Sequence, residues 1–144
     1  MPPELKTAND ESYARTVELI EAITPEQAIL PGACGEWSAC DVVAHFTGWH
    51  PEARARLQAL ADNTYERKRY DYDAYNAESV AARKHMSWAD VVAEFKESHV
   101  ELVAFAESLN EAIWDDKRAR GWLTAVTSSH YPEHYEHLEK ARTL

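Results

Sequence analysis

The hydrophobic positions of the chain recur at helical spacing, and the clearest case lies in its second half. Over residues 88–109, apolar and aromatic residues and one histidine alternate in steps of four and three: Trp88, Val92, Phe95, His99, Leu102, Ala106 and Leu109. This spacing places all these side chains on one face of an α-helix. The helix is predicted to start at "SWAD", where a serine is followed three residues later by an aspartate.

Three further long helices and one short helix are predicted from similar patterns. The first runs from about Asn9 or Asp10 to Ile23, and the last carries the C-terminal histidines and ends near Arg142. The short helix is predicted over residues 73–84.

The second long helix has the most informative start signal. Ser38 and Asp41 have the spacing of a capping box. The following apolar face contains Val42, His45, Trp49, Ala53 and Leu60. Pro51 interrupts this pattern and is expected to kink or restart the helix, because proline lacks the backbone donor.

These elements predict an all-α fold, a four-helix bundle with one long crossover connection and a short extra helix. The polar residues 61–72 and the short helix form that crossover, so the second and third long helices are not expected to be antiparallel neighbours. The chain shows no repeat or long linker, and residues 1–144 are expected to form one helical bundle domain.

Composition narrows the classes of partner. A net charge of −10 would repel phosphate backbones, so no nucleic-acid partner is expected. No apolar stretch approaches the about 18 residues of a membrane span. The N-terminus has no signal-peptide pattern, which predicts a cytoplasmic location. In that compartment Cys34 and Cys40 are expected to be free thiols.

The segment "SSHYPEHYEHLEK" holds three of the seven histidines. On one helix, His130, His134 and His137 would lie on the apolar side. His130 and His134 are four residues apart and can converge on one metal ion. His137 lies about 10 Å along the axis from His130, so we expect it to take no part. Hydrogen-bonded core histidines would explain the same pattern without a metal.

Pro132 makes the start of this helix important. If Ser128 or Ser129 caps the helix, the proline falls in the first turn, where its missing N–H costs little. If the helix begins earlier, near Leu123, the proline should kink it between the two candidate ligands.

A catalytic metal site usually needs a third protein ligand from another element. His45 and His99 both lie on predicted inward faces, and the spacing alone leaves both open. His50 points about 140° away from His45, and both it and the loop residue His85 are expected to be exposed. Glu52 follows His45 by two turns and is either a general base, a fourth ligand or a rim carboxylate.

Three segments carry a family resemblance. In "GEWSACDVVAHFTGWH" the matching residues are Trp37, Ser38, Asp41, Val42, Val43, Ala44, His45 and Trp49. This segment resembles a motif of the DinB-like (DinB/YfiT) four-helix-bundle superfamily. "TSSHYPEHYEHL" is similar to the His-x3-His helix of that superfamily. "DAYNAESVAAR" is similar to its middle segment, and Asn76 matches the asparagine often found there.

The resemblance implies a divalent metal, zinc or nickel, held by His45, His130 and His134. Trp49, Glu52, Asn76 and His99 are then candidates for the pocket or for supporting the ligands. Some relatives transfer or use low-molecular-weight thiols, and others isomerise maleylpyruvate with a thiol cofactor.

The implied function is a metal-dependent enzyme acting on a small molecule, by thiol transfer or hydrolysis. The alternative is a non-catalytic binding or self-protection (resistance) protein, because one branch with a similar second helix opens a toxin and lacks the metal histidines. A homodimer is compatible with such a bundle.

Overall fold

The computed structural model describes residues 1–144 and is entirely helical. The long helices are α1 (Pro3–Glu21), α3 (Ala39–Ala61) and α5 (Trp88–Ser108). The shorter ones are α2 (Pro25–Ala28), α4 (Tyr72–Ala81), α6 (Lys117–Val126), α7 (His130–Glu133) and α8 (Tyr135–Ala141), with a 3₁₀ turn at Glu111–Asp115. The segment α6–α8 packs on α1 and α3 as the fourth member of the bundle, so the predicted fold class is confirmed. None of the helices is both long and apolar enough to cross a membrane.

Helix α1 begins six or seven residues before the predicted start at Asn9 or Asp10. Asn9 and Asp10 were predicted to start the helix. Instead Asn9 lies buried inside the helix, and its Nδ2 donates to Thr127 Oγ1 at 2.9 Å. The start itself is marked by Pro3 at the first helical position, where proline is well tolerated.

Helix α3 starts where the capping box predicted. Ser38 Oγ accepts from the Asp41 amide, and the Asp41 carboxylate accepts from the Ser38 amide. The helix then continues past Pro51 to Ala61, so of the two expected outcomes, a kink or a restart, the restart does not occur. One missing backbone donor is outweighed here, since α3 packs against α4, α5 and α6 along its length.

Helices α3 and α5 are neighbours that run parallel to each other. Contacts between them advance in the same direction along both chains: Phe46 with Phe95, His50 with Ser98, and Arg54 with Phe105. The connection over residues 62–87, which includes α4, returns the chain to the starting end of the bundle. The predicted crossover is therefore present, and these two helices are not antiparallel neighbours.

Helix α4 lies unusually close to α3. A Cβ added to Gly48 would lie 2.1 Å from Ser79 Oγ and 2.4 Å from Ser79 Cβ, so only glycine fits at this contact. Tyr75 of α4 donates from its hydroxyl to the Gly48 carbonyl at 2.8 Å. These contacts hold α4 against the middle of α3.

The C-terminal histidines were predicted to lie on one continuous helix. In the structure this segment is divided into α6, α7 and α8. Helix α6 ends at Val126, and the Thr127 carbonyl then accepts from the amides of His130 and Tyr131 at the start of α7. Ser129 precedes α7 but its side chain makes no capping bond. Pro132 is the third residue of α7, in the first turn, where no backbone donor is required.

The hydrophobic core has two parts with histidines at their junction. One part joins the beginnings of α3 and α5 to α1, α7 and α8, and includes Phe46 and Tyr131. The other joins the ends of α3 and α5 to α6, and includes Trp49 and Val126. His45, His50 and His130 therefore lie where the two parts meet.

Candidate metal centre and adjoining cavity

His45 is a buried residue of α3 whose tautomer is fixed by the backbone. It is 2 % exposed, and its Nδ1 lies 2.5 Å from the Val42 carbonyl oxygen. A carbonyl can only accept, so Nδ1 carries the proton and Nε2 keeps its lone pair. The backbone thus orients His45 as an Nε2 ligand.

His130 and His134 approach His45 from the C-terminal segment. His130 is the first residue of α7, and its Nε2 lies 2.9 Å from His45 Nε2. His134 links α7 to α8, with its ring centroid 4.7 Å from that of His45. One ligand atom of each of the three residues lies within 4.8 Å of the others. The structure therefore brings together the three residues that the motifs suggested.

Burial keeps these imidazoles neutral at pH 7. Loss of solvent lowers the pKa of His45 to about 2, and its neighbours His130 and His134 lower it further. Burial, together with the adjacent histidine, lowers the pKa of His130 and of His134 to about 4 in each case. Neutral imidazole is the form that ligates a metal.

The three residues fit a divalent ion. Metal–nitrogen bonds of about 2.0–2.1 Å in a tetrahedral site separate ligand nitrogens by about 3.3 Å. That value lies within the spacing found here, so only small side-chain movements are needed. His130 Nδ1 is buried without a hydrogen-bond partner, so ligation at Nε2 would leave its N–H without an acceptor in the protein.

His137 is closer to the site than the helical spacing suggested. Its Nδ1 lies 3.0 Å from His134 Nδ1. The break between α7 and α8 changes the angular relation that a single helix would impose. His137 is not in the three-histidine group itself.

His99, suggested as a supporting residue, and His50 form a separate buried group. His99 Nδ1 and His50 Nε2 both bond to the Tyr131 hydroxyl, at 2.7 and 2.8 Å, and His50 Nδ1 bonds to Ser98 Oγ. The prediction that His50 is exposed is wrong. Every residue over 41–50 is buried, because neighbouring helices cover this part of α3 on several sides rather than on one face only. The near absence of charge in "VVAHFTGWH" was the available signal. His85 is exposed, as predicted.

A cavity of about 540 Å³ reaches the three-histidine group through His130. Trp49 forms part of its wall, stacked on Tyr75 with centroids 4.0 Å apart. The Trp49 indole N–H donates to Asn76 Oδ1 at 2.8 Å. Two of the four suggested supporting residues, Trp49 and Asn76, therefore line this cavity.

Glu52 lies beside the cavity wall and outside the group of converging ligand atoms. Its carboxylate accepts from the Tyr70 hydroxyl at 2.5 Å and lies 3.5 Å from Lys68 Nζ. Both partners line the cavity. Burial, with the hydrogen bond to Glu52, raises the pKa of Tyr70, so that its hydroxyl stays protonated and donates.

Three cationic residues, Arg67, Lys68 and Arg118, line the cavity together with Glu133. Lys68 is paired with Glu52 at 3.5 Å and Arg118 with Asp116 at 2.8 Å, which leaves Arg67 as the cation without an ion pair. Aromatic side chains complete the lining: Trp49, Tyr65, Tyr70, Tyr72 and Trp122. The arrangement suits a small molecule with an anionic group and a flat or apolar part.

Comparison with known proteins gives one family match and one structural likeness. A family model described as "Mycothiol maleylpyruvate isomerase N-terminal domain" matches residues 10–135. No curated protein matches the chain. A crystal structure of an uncharacterised protein from Escherichia coli UTI89 is similar over 95 % of this chain and 90 % of that chain, with a TM-score of 0.77 and 19 % identity. That likeness shows a shared fold.

Proposed function

The chain belongs to the family of mycothiol maleylpyruvate isomerase N-terminal domains, within the DinB-like superfamily, and on this premise we propose that it is a metal-dependent enzyme acting on a small molecule. The observation that supports the proposal is the convergence of three neutral imidazoles at the end of a cavity. The reaction we propose is transfer of a low-molecular-weight thiol. If water instead of a thiol is the nucleophile, the same site would catalyse hydrolysis.

His45, His130 and His134 would hold the ion, and zinc or nickel suits an all-imidazole ligand set. A bound divalent ion supplies Lewis acidity that lowers the pKa of a thiol or water. The Val42 carbonyl orients His45 by accepting from its Nδ1–H. The hydrophobic surroundings of His45, with Phe46 at 5.0 Å and Trp37 at 4.9 Å between ring centroids, keep bulk water away.

The lining of the cavity supports a substrate class within this proposal. Arg67, the lining cation without an ion pair, favours an anionic group on the substrate, and the aromatic wall favours stacking against an apolar part. Trp49 is held in place by Asn76 and Tyr75, so this wall is pre-formed. Glu52 acts here by orienting Tyr70 and Lys68 rather than by touching the ion.

Metal content is the direct test. The protein is purified without a histidine tag, loaded with zinc or nickel, and its bound metal is measured beside that of His45→Ala. We expect one ion per chain in the wild type and a clearly lower metal content in His45→Ala, which lacks one of the three ligands. His99→Gln, another buried histidine outside the group, is the matched control and should retain the ion. A wild type that stays metal-free after loading would contradict the proposal.

Turnover separates an enzyme from the binding or self-protection alternative. The metal-loaded protein is incubated with mycothiol or bacillithiol and a small electrophile carrying a carboxylate, and product is counted against protein. Many products per chain are expected. Thermal stabilisation by either compound without turnover would favour the non-catalytic alternative. The homodimer and the cytoplasmic location stay predictions from the sequence.

A further inference from the structure

A second group of potential metal ligands lies next to the three-histidine group. It consists of Cys34, His134 and His137, whose ligand atoms lie within 4.8 Å of one another. All three residues are half-buried, so the group is more accessible than His45. His134 belongs to both groups.

The thiol is held in this position by local structure. Cys34 and Trp37 exchange backbone hydrogen bonds at 2.9 and 3.1 Å, which closes a tight turn with Gly35 at φ +57°. The turn precedes α3, and the Trp37 ring packs against His45. The turn that carries Cys34 is therefore anchored on the metal centre.

His137 is oriented in the manner of a ligand. Its Nδ1 faces His134 Nδ1 at 3.0 Å, and its Nε2 lies 3.6 Å from Glu136 Oε1. Glu136 is mostly exposed and this distance exceeds that of a hydrogen bond, so the contact with His134 is the one that orients His137. One thiolate and two imidazoles form a ligand set that suits zinc or cobalt.

We propose that Cys34, His134 and His137 form a second, outer metal site, occupied as an alternative to the inner site of His45, His130 and His134. A neutral imidazole has one lone pair, because its other nitrogen carries a proton. His134 therefore ligates one ion at a time, at either the inner or the outer site. On binding at the outer site, the Cys34 thiol releases its proton to solvent and coordinates as thiolate.

Cobalt(II) absorption tests the proposal, because a thiolate ligand adds a near-ultraviolet charge-transfer band that histidine ligands lack. The full-length protein without a tag is titrated with Co²⁺ as wild type and as His130→Gln, which removes an inner ligand only. In His130→Gln we expect the thiolate band and one ion per chain. Adding Cys34→Ser should abolish the band, whereas adding Cys40→Ser, the other half-buried free cysteine, should preserve it.

Two results would overturn the outer site: no thiolate band in His130→Gln, or equal loss of the band with Cys34→Ser and with Cys40→Ser. Two ions bound together in the wild type would overturn the alternation. The same series in a His45→Gln background provides a second reading if His130→Gln folds poorly. The two proposals fail in different ways. If only the outer site binds metal, the wild type itself shows the thiolate band; if only the inner site binds metal, the band is absent from His130→Gln.

Discussion

The two buried groups of histidines in this bundle look alike by burial and by charge, yet they are built differently. One group contains His45, His130 and His134, and the other contains His50 and His99 joined by Tyr131. Burial lowers the pKa of every one of these histidines. A lowered pKa therefore does not separate a metal site from packed core histidines.

The difference lies in where the ring nitrogens point. Around Tyr131, both nitrogens of His50 and the Nδ1 of His99 have hydroxyl partners, so the group is satisfied within the protein. In the three-histidine group, the Nε2 atoms of His45 and His130 face each other at 2.9 Å, and His130 Nδ1 has no partner. Nitrogens that converge on one another rather than on hydroxyls mark the group able to accept an ion.

The largest expected effect is stabilisation by metal bound at the three-histidine group. At a free metal concentration about 1,000 times the dissociation constant, binding to the native state should add about 4 kcal/mol to the free energy of unfolding. Denaturant titrations with and without zinc should show this gain in wild type. His45→Ala should lose most of the gain, because only weaker ligand groups remain, and His99→Gln should keep it. An equal gain in wild type and His45→Ala would place the ion elsewhere.

A smaller effect is expected from the satisfied group. Tyr131→Phe removes one hydroxyl that two buried imidazoles share, leaving His50 Nε2 and His99 Nδ1 without partners. The free energy of unfolding should fall by about 1–3 kcal/mol. Metal affinity should change far less than in His45→Ala, because the ligand nitrogens are untouched. A Tyr131→Phe protein that folds but no longer binds zinc would show that the two groups are one functional unit.

The sequence predicted the bundle well because helix starts and faces are local features. Ser38 with Asp41 and Ser87 with Asp90 marked the starts of α3 and α5, and both capping bonds are present. The start of α1 was predicted too late in the chain. Asn9 lies inside the helix, where its side chain bonds to Thr127, 118 residues away. Such a pairing leaves no trace in a local pattern.

The candidate site was predicted from spacing and resemblance, but its geometry was not. His130 and His134 were expected to share one helix, whereas they stand at the start and end of the single turn α7. The spacing of a single helix predicted that His137 takes no part in the site. The chain breaks between α7 and α8 at His134, so that spacing does not apply, and His137 contacts His134. The burial of His50 depends on how many neighbours cover α3, and that number is a property of the assembled bundle.

The smallest predicted effect concerns acid stability and separates the two groups without any metal. Burial lowers the pKa of His99 to about 4, against an opposing effect of Asp10, while the pKa in the unfolded chain is about 6.5. The unfolded chain therefore binds a proton that the folded chain does not between these values, so stability is full above about pH 6.5 and falls as the pH drops towards 4. His99→Gln should remove this part of the loss, about 1–2 kcal/mol between pH 7 and pH 5. Denaturant titrations of both proteins in chelator at the two pH values measure it, with the three-histidine group unchanged between them. An identical loss in both proteins would mean that burial does not hold His99 neutral in the folded chain.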